Sequence, residues 1–356
     1  TGIAAASGSN LTIAGSGVTQ TIHNDTKALI DGTTITATNM SVMAESKSNL
    51  VSVAGQVSAG QNANAAVGAA VSIVNSDSDT SATINNSTIN AQDVIVQVTS
   101  NNESLNVAIG LSVAAGSNAS LSGAGNVATN NIANDTTVTI AGTTIDASGT
   151  VAALVNSNEV LRNYGGAASV SATSGASIAL GGTVVVNTIT GNTNAIVQNS
   201  NIVALGAGSG VNVKDYNISK DAPASSSSNS STTSSINGAD VAEEMLQDKG
   251  THSVTGNDST KTGFIVNADA KHTLRDISVT AGVAASTSGV AGALDATVAV
   301  NTINGKTSAE VNNTNINNIG DLTGINNSAN VFVNAYDKVD MQSHIGTLSV
   351  GGAATI

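Results

Sequence analysis

The chain has no cysteine, no tryptophan and a single proline. Without cysteine there is neither a disulfide framework nor a thiolate metal site. Aromatic residues are 1% of the 356 residues, so the bulky side chains that fill a wide globular interior are nearly missing, and any core must be narrow. Charge is scarce too: Lys+Arg 11 against Asp+Glu 24, a net charge of -13. That sign excludes nucleic acid as the expected partner, because nucleic acid recruits basic patches to displace counterions. No apolar run approaches the ~18 residues of a membrane-spanning helix, so no membrane insertion of this segment is expected. The chain starts at Thr1 without a charged-then-apolar leader. It reads as a fragment whose polypeptide continues at both ends.

What is present is Ala, Val, Ile and Leu within a hydrophobic fraction of 40%, enough for a folded chain. Solubility falls to Asn, Ser and Thr. The sequence repeats. Residues 22–37 read IHNDTKALIDGTTITA and residues 132–147 read IANDTTVTIAGTTIDA, and weaker copies start at Ser76, Ile189 and Ile303. The starts are 54, 56, 57 and 114 residues apart, giving a unit of about 57 residues with one insertion of similar size. From the last Ile of each motif to the next alternating apolar run takes 5 residues in the second copy (Ile89 to Val94) and 62 in the fourth (Ile202 to Phe264).

The insertion, residues 214–263, holds the run SSSSNSSTTSS and Pro223, a loop composition. The segment DVAEEMLQDKG that follows predicts a short helix near 240–249. Asp240 is its N-cap, Glu243 completes a capping box, Glu244 adds to the acidic first turn, and Gly250 follows Lys249 as the stop.

Within each unit the apolar period is two, as in Ala82/Ile84 and Val138/Ile140, which predicts strands with one buried face. A sandwich of facing sheets would need large side chains to span ~10 Å. A stacked solenoid can be filled by Ala, Val and Ile. The fold class is therefore all-β, a right-handed parallel β-helix, with residues 1–213 and 264–356 as one continuous body. Three short coils of ~19 residues per unit would give ~16 coils and a rod ~75 Å long at ~4.8 Å per coil. Asn75, Asn130, Asn187 and Asn301 are assigned to corners, where asparagine tolerates left-handed backbone, with the option of amide stacking along the rod.

The pattern VxVNTIxxxTxAxIxxSxIxA, followed by a VxVxA run and an SAG stretch, resembles the repeats of leukotoxin-type large filamentous adhesins. Those are relatives, in secretion style and architecture, of filamentous-haemagglutinin-like and autotransporter passenger proteins. The resemblance covers most of residues 1–213 and 264–356. It implies a type V secreted, extracellular rod at the bacterial cell surface, a virulence function in attachment to host cells or other bacteria, and no catalytic residues.

An enzyme on such a scaffold would need convergent carboxylates with a cationic or acid partner. Asp25 and Asp135 recur at one repeat position, as structural residues do, and Asp77 and Asp79 read as a solvated strand edge. The histidines, His23, His252, His272 and His344, lack metal-site spacing and are placed on the surface. No catalytic, cofactor-binding or metal residue is expected. Thr33-Thr34 and Thr143-Thr144 do not recur regularly enough for an ice-binding array, and Asn-x-Ser/Thr triplets such as those at Asn24, Asn134 and Asn312 could accept glycans in an exported protein, although a chain this rich in Asn and Thr produces many by chance. The expected function is a non-catalytic rod segment of a secreted adhesin, with a protein or glycan receptor contacted by the insertion through Lys214, Asp240, Glu243, Glu244 and Lys249. A glycan-acting enzyme or cytotoxin passenger and a passive spacer are the alternatives.

Overall fold

A computed structural model describes residues 1–8, 10–62, 64–217, 255–318 and 329–353. They form a parallel β-helix solenoid, and no described residue is helical. Sheet A stacks Gly2–Gly8, Asn39–Gln61, Asp93–Gly116, Val151–Thr173, Thr255–Ser286 and Ala329–Ala353. Sheet B stacks Leu11–Asp31, Ala65–Asn85, Ala119–Ala141, Ala176–Gln198 and Ala291–Asn312. Sheet C, much narrower, stacks Thr34–Thr36, Thr88–Ala91, Thr144–Ala147, Asn201–Ala204 and Asn315–Ile316.

The register shows how the repeat is used. Leu11 pairs with Ala65, Ala65 with Leu121, Leu121 with Ile178, and Ile178 with Gly292. Those steps are the repeat intervals themselves, so one repeat makes one coil. The expectation of three short coils per unit is overturned: strands of 21 to 25 residues run along two broad sheets. The stacked direction is short, about five strand spacings or ~24 Å, while each long strand spans ~75 Å.

The repeat motif builds the corner between sheets B and C. Gly32, Asn86, Gly142, Asn199 and Asn313 all have positive φ, between 48° and 62°, a conformation open to Gly and tolerated by Asn. The hydroxyl that follows closes the turn: Ser87 Oγ donates to Asn85 O at 2.6 Å, Thr143 Oγ1 to Ala141 O at 2.9 Å, and Ser200 Oγ to Gln198 O at 2.8 Å. The corner asparagines are therefore Asn86, Asn199 and Asn313. Asn75, Asn130, Asn187 and Asn301 lie in mid-strand instead. Three of them face inward and stack as amides: Asn130 Nδ2 donates to Asn187 Oδ1 at 2.6 Å, and Asn187 Nδ2 to Asn301 Oδ1 at 2.8 Å.

The cross-section has two parts. In the head, sheet C closes a triangle with the start of sheet A and the end of sheet B. Ladders of Ile89, Ile145 and Ile202 meet Val94, Val96, Val98, Ile84, Ile140 and Phe264 there. In the wing, the remaining halves of sheets A and B lie face to face, joined at a tip of Asn, Ser and Gly. The wing interior is small and polar: the hydroxyls of Ser52 and Ser72 are 2.7 Å apart, and those of Ser120 and Ser171 2.6 Å. A Cβ built on Gly110 would lie 2.9 Å from Gly125 O of the opposite sheet, so the two backbones are in near contact, well inside the ~10 Å of ordinary face-to-face sheets. Facing sheets are thus possible without large side chains once Ser, Gly and Ala line the gap.

Candidate functional site

The fourth unit leaves the solenoid as an antiparallel ribbon in which Val211–Asn217 pairs with the start of Thr255–Ser286, Lys214 lying opposite Asp258. Val211 and Val213 pack on Ala152, Leu154 and Ile265, so the ribbon lies over the outer face of sheet A at the head. Lys214 is exposed there. Asp240, Glu243, Glu244 and Lys249, with the helix expected near 240–249, lie outside the described residues. Parallel pairing of Val151–Thr173 with Phe264 onward carries sheet A across the insertion.

Beyond the ribbon, sheet A presents a cluster that sequence reading missed. Arg162 and Arg275 are the only arginines of the chain, and they are direct register partners on adjacent coils. Two outward ladders closer to the head runs the series Lys47, Asn101, Asn158, Lys271, Lys338. Tyr164 and His344 join the arginines around a depression of about 330 Å³. Like charges on neighbouring strands repel, and each guanidinium is held by a carboxylate: Arg162 pairs with Glu103, and Arg275 Nη2 lies 3.0 Å from Asp340 Oδ2 while Nη1 donates to Gln342 Oε1. The Arg162–Glu103 pair is nearly half exposed, so it contributes only ~0–1 kcal/mol and chiefly orients the guanidinium. Five cations, Lys47, Arg162, Lys271, Arg275 and Lys338, stand here with Glu103 and Asp340, and Glu45 and Asp269 follow on the next outward ladder, so a small positive excess remains in an acidic protein. Fork-shaped guanidinium donors of this kind match the geometry of carboxylate and other planar anionic groups. The available sequence signal was the shared Leu-Arg step at Leu161-Arg162 and Leu274-Arg275, one repeat apart with the insertion between them.

The outer face of sheet B has an acidic excess, with Lys27 and Lys306 among its carboxylates. Asp25, Asp79 and Asp135 are in register, with Asp77 beside them. Burial and then the repulsion of Asp135, Asp25 and Asp77 raise the Asp79 pKa, with His23 opposing. Asp135 also serves structure, accepting from the Asn192 backbone N–H at 2.7 Å. No group of three or more His, Asp or Glu side chains among the described residues is placed to hold a metal ion.

His272 corrects the surface placement of the histidines. It faces inward, 2% exposed, with Nδ1 2.9 Å from Glu159 Oε2 and Nε2 3.8 Å from Asp337 Oδ1. Glu159 Oε1 accepts from Asn134 Nδ2 across the sheets at 3.2 Å. Burial works against the imidazolium, but the hydrogen bond and charge of Glu159, helped by Asp337, outweigh it and raise the His272 pKa. Asp276, also buried, is raised by desolvation against hydrogen bonds from Asn301, Ser278 and Ser343. These groups link coils and sheets from inside.

Protein-family models, curated proteins and solved structures give no match to this chain.

Proposed function

We propose that this chain is a non-catalytic segment of a secreted bacterial surface adhesin, its solenoid serving as a scaffold that supports attachment to host cells or other bacteria. The observation that carries the reading is the pairing of Arg162 with Arg275 on an open outer face, beside Lys271 and Tyr164. A shallow depression with forked cationic donors suits the acidic groups of cell-surface glycans or proteins. An enzyme would need a nucleophile or acid–base pair open to substrate, whereas the carboxylate–imidazole pair of Glu159 and His272 faces the interior.

The test is adherence of the purified chain to cells, compared with the double variant Arg162→Gln, Arg275→Gln. A several-fold loss at unchanged circular dichroism is expected. Equal adherence by the variant, or no adherence by either, would replace the adhesive reading with that of a passive spacer. Turnover of an acidic polysaccharide would replace it with an enzyme.

A further inference from the structure

The wing is patterned inside out. Its interior carries mostly small residues, Ala, Ser, Asn, Thr and Gly, while large apolar side chains point to solvent on both faces. On sheet A, Ile109 is 52% exposed, Val279 48% and Leu348 59%; on sheet B, Val67 is 40%, Leu180 39% and Val298 51%. In the outward ladders from Val107 to the tip on sheet A, and from the tip to Asn75 on sheet B, no Asp, Glu, Lys or Arg occurs on any coil. About ten residues by five coils gives ~700 Å² per face, more than the few hundred Å² that a soluble monomer ordinarily leaves bare. Two such faces pressed together would bury ~1,400 Å², the size of a stable specific interface.

The charges select which faces meet. Beyond the apolar stretch, sheet A carries Lys47, Arg162, Lys271, Arg275 and Lys338 against Glu45, Glu103, Asp269 and Asp340, a small positive excess, while sheet B carries Asp25, Asp77, Asp79 and Asp135 against Lys27 and Lys306, a negative one. Placing sheet B on sheet B would set acid against acid. Placing sheet A of one copy on sheet B of another sets apolar wing on apolar wing and cations on carboxylates. Outward glycines on sheet B shape the contact: a Cβ on Gly182 would meet nothing within 4 Å, and one on Gly125 nothing nearer than 3.9 Å. Their own chain gives no reason for the missing side chains, whereas strand glycines mark places where another backbone comes close.

We infer that the occupant of the wing is a second copy of this chain, docked with its sheet B outer face on the sheet A outer face of the first. The contact is heterologous and does not close, so copies add one after another into lateral stacks. This assignment names a partner for the sheet A surface and rests on the adhesive reading only in treating that surface as a contact site.

Sedimentation velocity of the full chain tests it. Wild type should show a concentration-dependent series of species larger than monomer, shortened by salt as the charged contacts are screened. Ile109→Lys with Val279→Lys blocks face A, and Leu180→Glu with Val298→Glu blocks face B. Each should be monomeric alone, and an equal mixture should stop at a 1:1 dimer, since each variant keeps one complementary face. Gly182→Leu, which fills open space, is a second face-B block that leaves the chain's own packing untouched. A monomeric wild type, a blocked variant that still dimerises by itself, or wild-type monomer that floats with phosphatidylcholine vesicles would each overturn the inference, the last in favour of a lipid surface. Adherence of the face-B-blocked variant, whose arginines are intact, separates the two readings. Adherence without any stacking removes only the stacking, and stacking without adherence removes only the adhesive function.

Discussion

The head and the wing are built from one repeat and held by different forces. In the head, period-two ladders of Ile and Val are fully removed from water, each large side chain contributing ~1.5–3 kcal/mol. In the wing, the inward positions of the same strands are mostly Ala, Ser, Asn, Thr and Gly, and hydrogen bonds between coils and across the gap add to the contacts of these small side chains. Satisfaction there is incomplete: neither amide atom of Asn163 has a partner, nor do the hydroxyls of Ser104 and Ser169. Buried polar atoms without partners are costly. The head therefore anchors each coil, and the wing is the part that opens first.

The largest test of that contrast lies in the head. Ile145, fully buried on sheet C, should cost ~2–5 kcal/mol when changed to Ala, read from denaturant unfolding. In the wing, Asn187→Ala removes the middle of an amide stack and leaves Asn130 Nδ2 and Asn301 Oδ1 without their partner, for a loss of ~1–3 kcal/mol by the same measurement. Hydrogen exchange should localise that damage to the wing and leave the head protected, and uniform deprotection of both would merge them into one cooperative unit. Gly142→Ala at the corner, where φ is 61°, should cost ~1 kcal/mol, while Asn199→Gly should be nearly neutral.

Titration gives a subtler discriminator. His272 has a raised pKa in the folded chain, so its contribution is fully present below the ordinary histidine value near 6.5 and is lost as pH rises through the higher folded value. Wild type should lose stability over that window. His272→Gln should flatten the profile there, and an unchanged slope would assign the pH dependence to other groups.

Much of this was readable in the residues. The 57-residue unit, its alternating strands and the aliphatic ladders are all local patterns, whereas the corner asparagines, expected at Asn75, Asn130, Asn187 and Asn301, lie instead at Asn86, Asn199 and Asn313. Coil size was not, because periodicity of two says where side chains face and nothing about where a strand ends; without Pro to interrupt them, Asp93–Gly116 and its equivalents run on. The inversion in the wing was hidden for the same reason. In VAIGLSVAAG, residues 107–116, alternation is plain, yet which set faces in depends on Gly110 and Ser112 fitting a gap too thin for Ile109 and Leu111. The arginine cluster needed the register, since Arg162 and Arg275 meet only when coils stack by whole repeats.

One coil per repeat sets what such a protein gains by growing. A duplicated unit of about 57 residues advances the stack by one strand spacing of ~4.8 Å, roughly twelve residues for every ångström of reach. The same unit adds a strip some 75 Å wide to both flanks. Gene-level gain or loss of a unit would thus hardly alter how far the molecule projects, and would change instead the breadth of contact it offers, like planks added to a wall and not links to a chain.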